Sequence, residues 1–130
     1  MYVLDTNTLI YFFKGIGRVA EGILSKKPND IGIPAIVLFE IIVGIEKSAS
    51  PEKRKEQLEQ LSGTVNILSF GKKEAEQAAA IRAKLERQGL PIGPYDVFIA
   101  ATALSNRYTL VTHNVKEFIR VEGLQIEDWY

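Results

Sequence analysis

Tyr2-Val3-Leu4-Asp5-Thr6-Asn7 begins with a short apolar run and closes it with a carboxylate. The run reads as a β-strand. The polar residues after it can cap a helix, with Thr6 or Asn7 as the cap and Leu9, Ile10, Phe12 and Phe13 as its buried positions. The same change of period recurs downstream. A short helix is expected over Arg18 to Lys26, and a second strand over Ile31 to Ile33 leads through Pro34 into a helix ending near Glu46. Ser50 and Pro51 open a mostly charged helix through Leu61, in which Lys53-Arg54-Lys55-Glu56 reads as a solvated face. Val65 to Leu68 is a third strand, and Lys72 to Gln88 is a helix offering Ala75, Ala78, Ala79, Ile81, Ala83 and Leu85 for packing, with Gly89 as its stop. The rigid loop Pro91-Ile92-Gly93-Pro94 precedes a very apolar helix over Tyr95 to Ser105, which must be central. Thr109 to Thr112 is a fourth strand, Asn114 to Phe118 a short helix and Leu124 to Ile126 a last strand. Strands separated by helices define an α/β fold: a central, mostly parallel sheet of four to five strands flanked by helices, in one domain spanning residues 1–130.

In such sheets function gathers beyond the carboxyl ends of the strands. Four acids are placed to meet there. Asp5 ends the first strand, Glu40 lies about two turns into the helix after the second, Asp96 opens the helix that leads to the fourth, and Glu117 follows the fourth. Three of them interrupt apolar runs: Tyr2-Val3-Leu4 before Asp5, Ile36 to Phe39 and Ile41 to Val43 around Glu40, and Val97 to Ala101 after Asp96. An ionised carboxylate among aliphatic neighbours costs several kcal/mol unless something compensates it. Too few cations lie nearby in sequence to pair them all, and a shared hard metal ion accounts for all of them.

Each acid also has a structural explanation. Asp5 can cap the first helix and Asp96 can face the positive end of its own. Asn114-Val115-Lys116-Glu117 has the form of a capping box. Glu40 is harder to explain in this way, because Ile36, Val37 and Gly44 on its face offer no cation. His113, the one histidine, reads as an edge residue and not as a general base.

Composition narrows the chemistry. The chain has no cysteine, so thiol nucleophiles and zinc–thiolate sites are absent, and a lone histidine cannot build a histidine-rich metal site. No apolar run approaches the ~18 residues of a membrane span, and Asp5 breaks the first apolar segment, so a cytoplasmic protein is expected. The formal net charge is zero, yet Glu122, Glu127 and Asp128 hold three of the acids, leaving 16 basic against 13 acidic groups in the first 120 residues. With four acids engaged by metal, that surface would attract phosphate in a salt-dependent way.

Val3-Leu4-Asp5-Thr6-Asn7, Phe39-Glu40-Ile41, Pro91-Ile92-Gly93-Pro94-Tyr95-Asp96 with Ile99-Ala100, and Leu110-Val111-Thr112-His113-Asn114 with Glu117-Phe118 resemble, in this order and spacing, the PIN-domain ribonucleases. The resemblance runs from Tyr2 to Trp129 and is nearest to VapC toxins of bacterial type II toxin–antitoxin systems. Glu127-Asp128-Trp129 and the loop before Asp96 resemble the branch that cleaves initiator tRNA in its anticodon loop. The resemblance implies a three-layer fold and a magnesium-dependent endoribonuclease, with manganese as a substitute. Asp5, Glu40 and Asp96 match the acidic ligands, and Thr6, Asn7 and Thr112 match polar residues that orient ligands or water. The family often carries an aspartate near position 114; here it is Asn114, so either Glu117 completes the metal site or Asn114 holds a water there. Hydrolysis by a metal-activated water leaves a 5′-phosphate and a 3′-hydroxyl.

The implied partners are a VapB-type antitoxin, a tRNA substrate and a second copy of the chain. Leu9, Tyr11, Phe12 and Phe13 with Ile41, Ile42 and Ile45 are more apolar residues than one buried helix face needs, and are expected to form a groove for an antitoxin segment. Two other readings remain open from sequence. One is a phosphatase of the haloacid dehalogenase type with Asp5 as nucleophile, although Asn7 stands where a second aspartate is wanted. The other is a non-catalytic RNA- or protein-binding module.

Overall fold

The computed structural model describes residues 1–130. Five strands, β1 (Tyr2–Leu4), β2 (Ile31–Pro34), β3 (Asn66–Leu68), β4 (Thr109–Val111) and β5 (Gln125–Glu127), form one sheet. Its order is β3-β2-β1-β4-β5 and every pairing is parallel. The connections are α1 (Thr6–Lys14) and α2 (Val19–Leu24) before β2, α3 (Ala35–Glu46) and α4 (Pro51–Ser62) before β3, α5 (Lys72–Arg87) and α6 (Pro94–Ser105) before β4, and α7 (Val115–Phe118) before β5. The helices flank the sheet in a three-layer α/β arrangement.

Successive crossovers step outward from β1 to β3, then return past β1 to β4 and β5. The direction reverses between β1 and β4, and in sheets of this kind ligands bind beyond the carboxyl ends of the strands at such a point. Register fixes this edge: Leu4 pairs with Val111, the last residues of β1 and β4. The core is continuous. Val3, Leu4, Ile31, Ile33, Leu110 and Val111 of the sheet are buried with Val37, Ile41 and Ile45 of α3, Val97, Ile99 and Ala100 of α6, and Phe118 of α7. Strands buried on both faces need no polar alternation, which is why β2 reads Ile-Gly-Ile-Pro and is buried throughout.

The expected elements are all present, with ends shifted by one or two residues. Two buried faces differ from expectation. In α1 the fully buried residues are Thr8 and Leu9, while Ile10, Phe12 and Phe13 are half-exposed. In α5 the buried stripe is Glu74, Ala78, Ile81 and Leu85, and Ala75, Ala79 and Ala83 face solvent. A helix buries one face against its neighbour, which for α5 is α6, and the residue at the i, i+4, i+7 spacing wins over the most apolar one.

Trp129, just beyond β5, packs across α2. A Cβ on Gly22 would lie 2.7 Å from its ring, and Tyr2 packs against the same ring at 5.3 Å between centroids. Gly22→Ala is therefore expected to cost about 1–3 kcal/mol through overpacking. Urea denaturation followed by the emission of Trp129, the one tryptophan, should show both the loss and a shifted native spectrum.

Candidate active site

Asp5 stands where β1 ends, with only 4% of its surface exposed. Its backbone N–H donates to the Val111 carbonyl at 3.2 Å, which continues the β1–β4 pairing by one residue. Its carboxylate does two things. Oδ1 accepts the Thr8 N–H at 2.9 Å and so caps α1, and Oδ2 accepts the Thr112 hydroxyl at 2.5 Å. The cap of α1 is thus Asp5 and not Thr6 or Asn7. Burial pushes the Asp5 carboxyl above its ordinary range, against the lowering effect of the Thr112 and Thr8 hydrogen bonds.

From Asp5 a polar network runs along the sheet edge. The Thr112 hydroxyl also accepts the Asn114 N–H at 2.9 Å, and the Asn114 side-chain amide donates to Glu117 Oε2 at 3.1 Å. On the other side, the Thr6 hydroxyl donates to Glu40 Oε1 at 2.7 Å, joining α1 to α3. The expected capping box at α7 is not formed, because the Asn114 side chain makes no bond to the helix backbone and turns to the Glu117 carboxylate instead. Asn7 is exposed, and its side chain has no hydrogen-bond partner within the chain.

Asp96 lies in the first turn of α6. It does not cap that helix, and no protein donor reaches its carboxylate. Its pKa is pushed up to about 6, first by burial and then by the charges of Asp5, Glu117 and Glu40. All four expected acids therefore share one neighbourhood, and Asp96 is the member that every other repels. None forms an ion pair: the chain's salt bridges lie elsewhere.

The residues nevertheless do not form a ready ligand cage. Without an ion, no three acidic or histidine side chains enclose a single point. Three of the four acids are held by their own donors, and uncompensated like charges keep apart. The donor set itself fits a hard divalent cation. It is all oxygen, carries up to four negative charges at one sheet edge, and holds no competing lysine or arginine.

Sequence reasoning did not single out Thr8, whose hydroxyl also donates to the Val111 carbonyl at 3.1 Å and fixes α1 over β4. It also missed Asp128, whose charge reaches Asp5 and whose Oδ2 lies 2.9 Å from His113 Nδ1. The capping position three residues after Asp5 was a signal for Thr8; Asp128 stood out only within Glu127-Asp128-Trp129, which gave no sign of its contact with His113.

A parallel sheet with acids gathered at its switch point defines an α/β domain with an acidic candidate site, and comparison with known proteins gives its family. The PIN domain profile matches residues 2–124. The chain is 37% identical over 128 residues to the tRNA(fMet)-specific endonuclease VapC of Salmonella typhimurium, covering 98% of this chain and 97% of that one. It is 35% identical over 134 residues to ribonuclease VapC2 of Rickettsia felis, covering 99% and 98%. The crystal structure of DNA-bound VapBC from Salmonella typhimurium superposes with a TM-score of 0.92 at 37% identity, covering 99% of this chain and 98% of that one. The chain belongs to the PIN-domain family, among its VapC-type ribonucleases. The phosphatase alternative falls with this assignment.

The charge on Asp96 has a thermodynamic consequence. Below its unfolded value of 3.8 the group is protonated in both states and costs nothing. Between 3.8 and about 6 the unfolded chain ionises first, so unfolding releases a proton and stability falls as pH rises. Above about 6 the folded protein carries the full repulsion, and Asp5 acts in the same direction. In chelator at pH 7.5, Asp96→Asn should therefore be more stable than the unaltered protein, and the difference should fade toward pH 4. Chemical denaturation of both proteins across that range checks it.

Proposed function

We propose that this protein is a metal-dependent endoribonuclease, the toxin of a toxin–antitoxin pair, that cleaves tRNA, with the anticodon loop of initiator tRNA as the favoured target. The observation that carries the reading is Asp96, an acid without a donor or a cation, set against Asp5, Glu40 and Glu117. Such a site is strained without a divalent cation and relieved with one. The relatives named tRNA(fMet)-specific endonuclease support the choice of target.

In this reading Asp5, Glu40, Asp96 and Glu117 hold magnesium, or manganese in its place. When bound, the ion neutralises phosphate charge and lowers the pKa of water. The chain supplies the rest. Thr112 and Thr8 fix both oxygens of Asp5, and Thr6 fixes Glu40, so that two carboxylates are set before RNA arrives. Asn114 holds Glu117 and its own backbone is held by Thr112, so this pair orients the fourth corner of the site. Such a protein would work in the cytoplasm, where tRNA is.

The antitoxin groove of this reading is different in detail from the expected one. A cavity of about 490 Å³ runs between α1, α3 and α4, from Glu40 past Ile10, Phe13, Ile41 and Ile45 to Arg54. Leu9 is core, Ile42 faces away, and Phe12 turns to a neighbouring depression beside Gln57 and Leu61. Arg54 is not on a solvated face: it donates to the Phe13 carbonyl at 3.0 Å and lies over the Phe13 ring. An apolar antitoxin segment fits this groove, and a cation it carries past Glu40 would enter the acid cluster. The exposed Phe39 and Ile42 of α3, with Tyr95 edge-on to Phe39, are the apolar surface open to a second copy.

Four outcomes are expected. Asp96→Asn should abolish magnesium-dependent tRNA cleavage with the fold intact, and sequencing of cut ends from the unaltered protein should find 5′-phosphates and 3′-hydroxyls. RNA cut equally well in chelator would defeat the metal role. Since Glu117 is not spent on a capping box, Glu117→Gln should weaken magnesium activation more than tenfold in a metal titration. Phe13→Glu should impair antitoxin binding, read by calorimetry, while RNA cleavage by the free protein stays measurable.

A further inference from the structure

Beside the acid cluster stands an aromatic group that the proposed chemistry does not use. His113 lies between Thr112 and Asn114, two members of the site's hydrogen-bond network. Its ring is stacked on Tyr130, with centroids 4.0 Å apart and planes inclined by 16°. Tyr11 of α1 meets Tyr130 edge-on at 5.0 Å and His113 edge-on at 6.2 Å. The three rings come from three separate parts of the chain.

The group is held firmly. Asp128 bridges it, with Oδ2 2.9 Å from His113 Nδ1 and Oδ1 accepting the Tyr130 N–H at 2.9 Å. The Tyr130 carbonyl accepts the Arg18 N–H at 2.7 Å. Gly17 lies under the same residue with φ +66°, and a Cβ there would come within 2.8 Å of the Tyr130 carbonyl oxygen. Yet the stack is not buried: 43% of Tyr130 and 46% of the His113 side chain remain exposed. A stack kept for packing alone would gain more from being covered. A fixed, half-exposed aromatic group beside a site proposed to cleave RNA is a group against which an unstacked base can rest. Fixing the rings beforehand lowers the entropic cost of that contact.

We propose that Tyr11, His113 and Tyr130, locked by Asp128, form a stacking platform for the base of one loop nucleotide flanking the scissile phosphate. The proposal rests on RNA being the substrate, as proposed above. It makes these rings binding residues that select unpaired over paired RNA, whichever base is presented.

The test uses stem-loop RNAs of one sequence, each with a single abasic nucleotide at a position flanking the cut. With the unaltered protein, one such position should lower kcat/KM about tenfold or more. Tyr130→Leu should lose a similar factor on the intact RNA and lose nothing further on that abasic RNA, while Tyr130→Phe should behave as the unaltered protein. His113→Ala, compared in the same way, serves if Tyr130→Leu does not fold. Losses that multiply, or an abasic series with no sensitive position, would overturn the platform and leave the ribonuclease reading standing. If the unaltered protein cuts none of the RNAs, the ribonuclease reading fails and the platform with it.

Discussion

The Thr112 hydroxyl donating to Asp5 at 2.5 Å is the contact on which the site depends. It joins the ends of β1 and β4, the two strands between which the chain reverses direction. The same carboxylate caps α1 through Thr8, and the same hydroxyl receives the Asn114 N–H. One acid thus sets the start of a helix, the spacing of two strands and the path of the loop toward Glu117. The capping explanation of Asp5 and the ligand explanation are not rivals. Capping uses one lone pair of a carboxylate oxygen and fixes its direction, which is what a ligand needs before an ion arrives.

Two buried or half-buried acids show how function and packing can be told apart. Glu74 has little exposed surface, yet its carboxyl is held below the usual range, first by the Gly71 N–H and also by the Asn106 amide. It is a satisfied structural acid. Asp96 receives no protein donor and is pushed the other way by burial and by three like charges. The pattern that separates them is not burial but compensation. An uncompensated charge of this kind marks a candidate functional site, and a cation from outside the chain would supply the missing compensation.

This difference also marks what sequence could and could not show. The alternation of β-rich and helical runs was legible, because each period is local, and with it the parallel sheet and the edge at which the four acids meet. The acids at Asp5, Glu40 and Asp96 stood out because aliphatic neighbours flank them. The choice of face was not legible: α1 and α5 each offer more apolar residues than they bury, and only the elements packed against them decide between Phe12 and Thr8 or between Ala79 and Ala78. The Asn114 side chain was equally ambiguous, since one sequence serves a helix cap or a bond to Glu117. Contacts between segments far apart, such as Asp128 with His113 or Arg54 with the Phe13 carbonyl, leave no local pattern at all.

Glu40 connects the two halves of the proposed function. It belongs to the acid cluster through its charge on Asp96, and it lines the end of the groove between α1 and α3. A segment seated in that groove ends at the negative cluster whatever its sequence. If it brings a cation, it relieves the repulsion that divalent metal would otherwise relieve. Inhibition and stabilisation then have one cause, because a partner that binds only the folded state raises its stability by mass action. In the proposed reading, the same strain that would prepare the site for metal would make the metal-free protein the better receptor for its inhibitor.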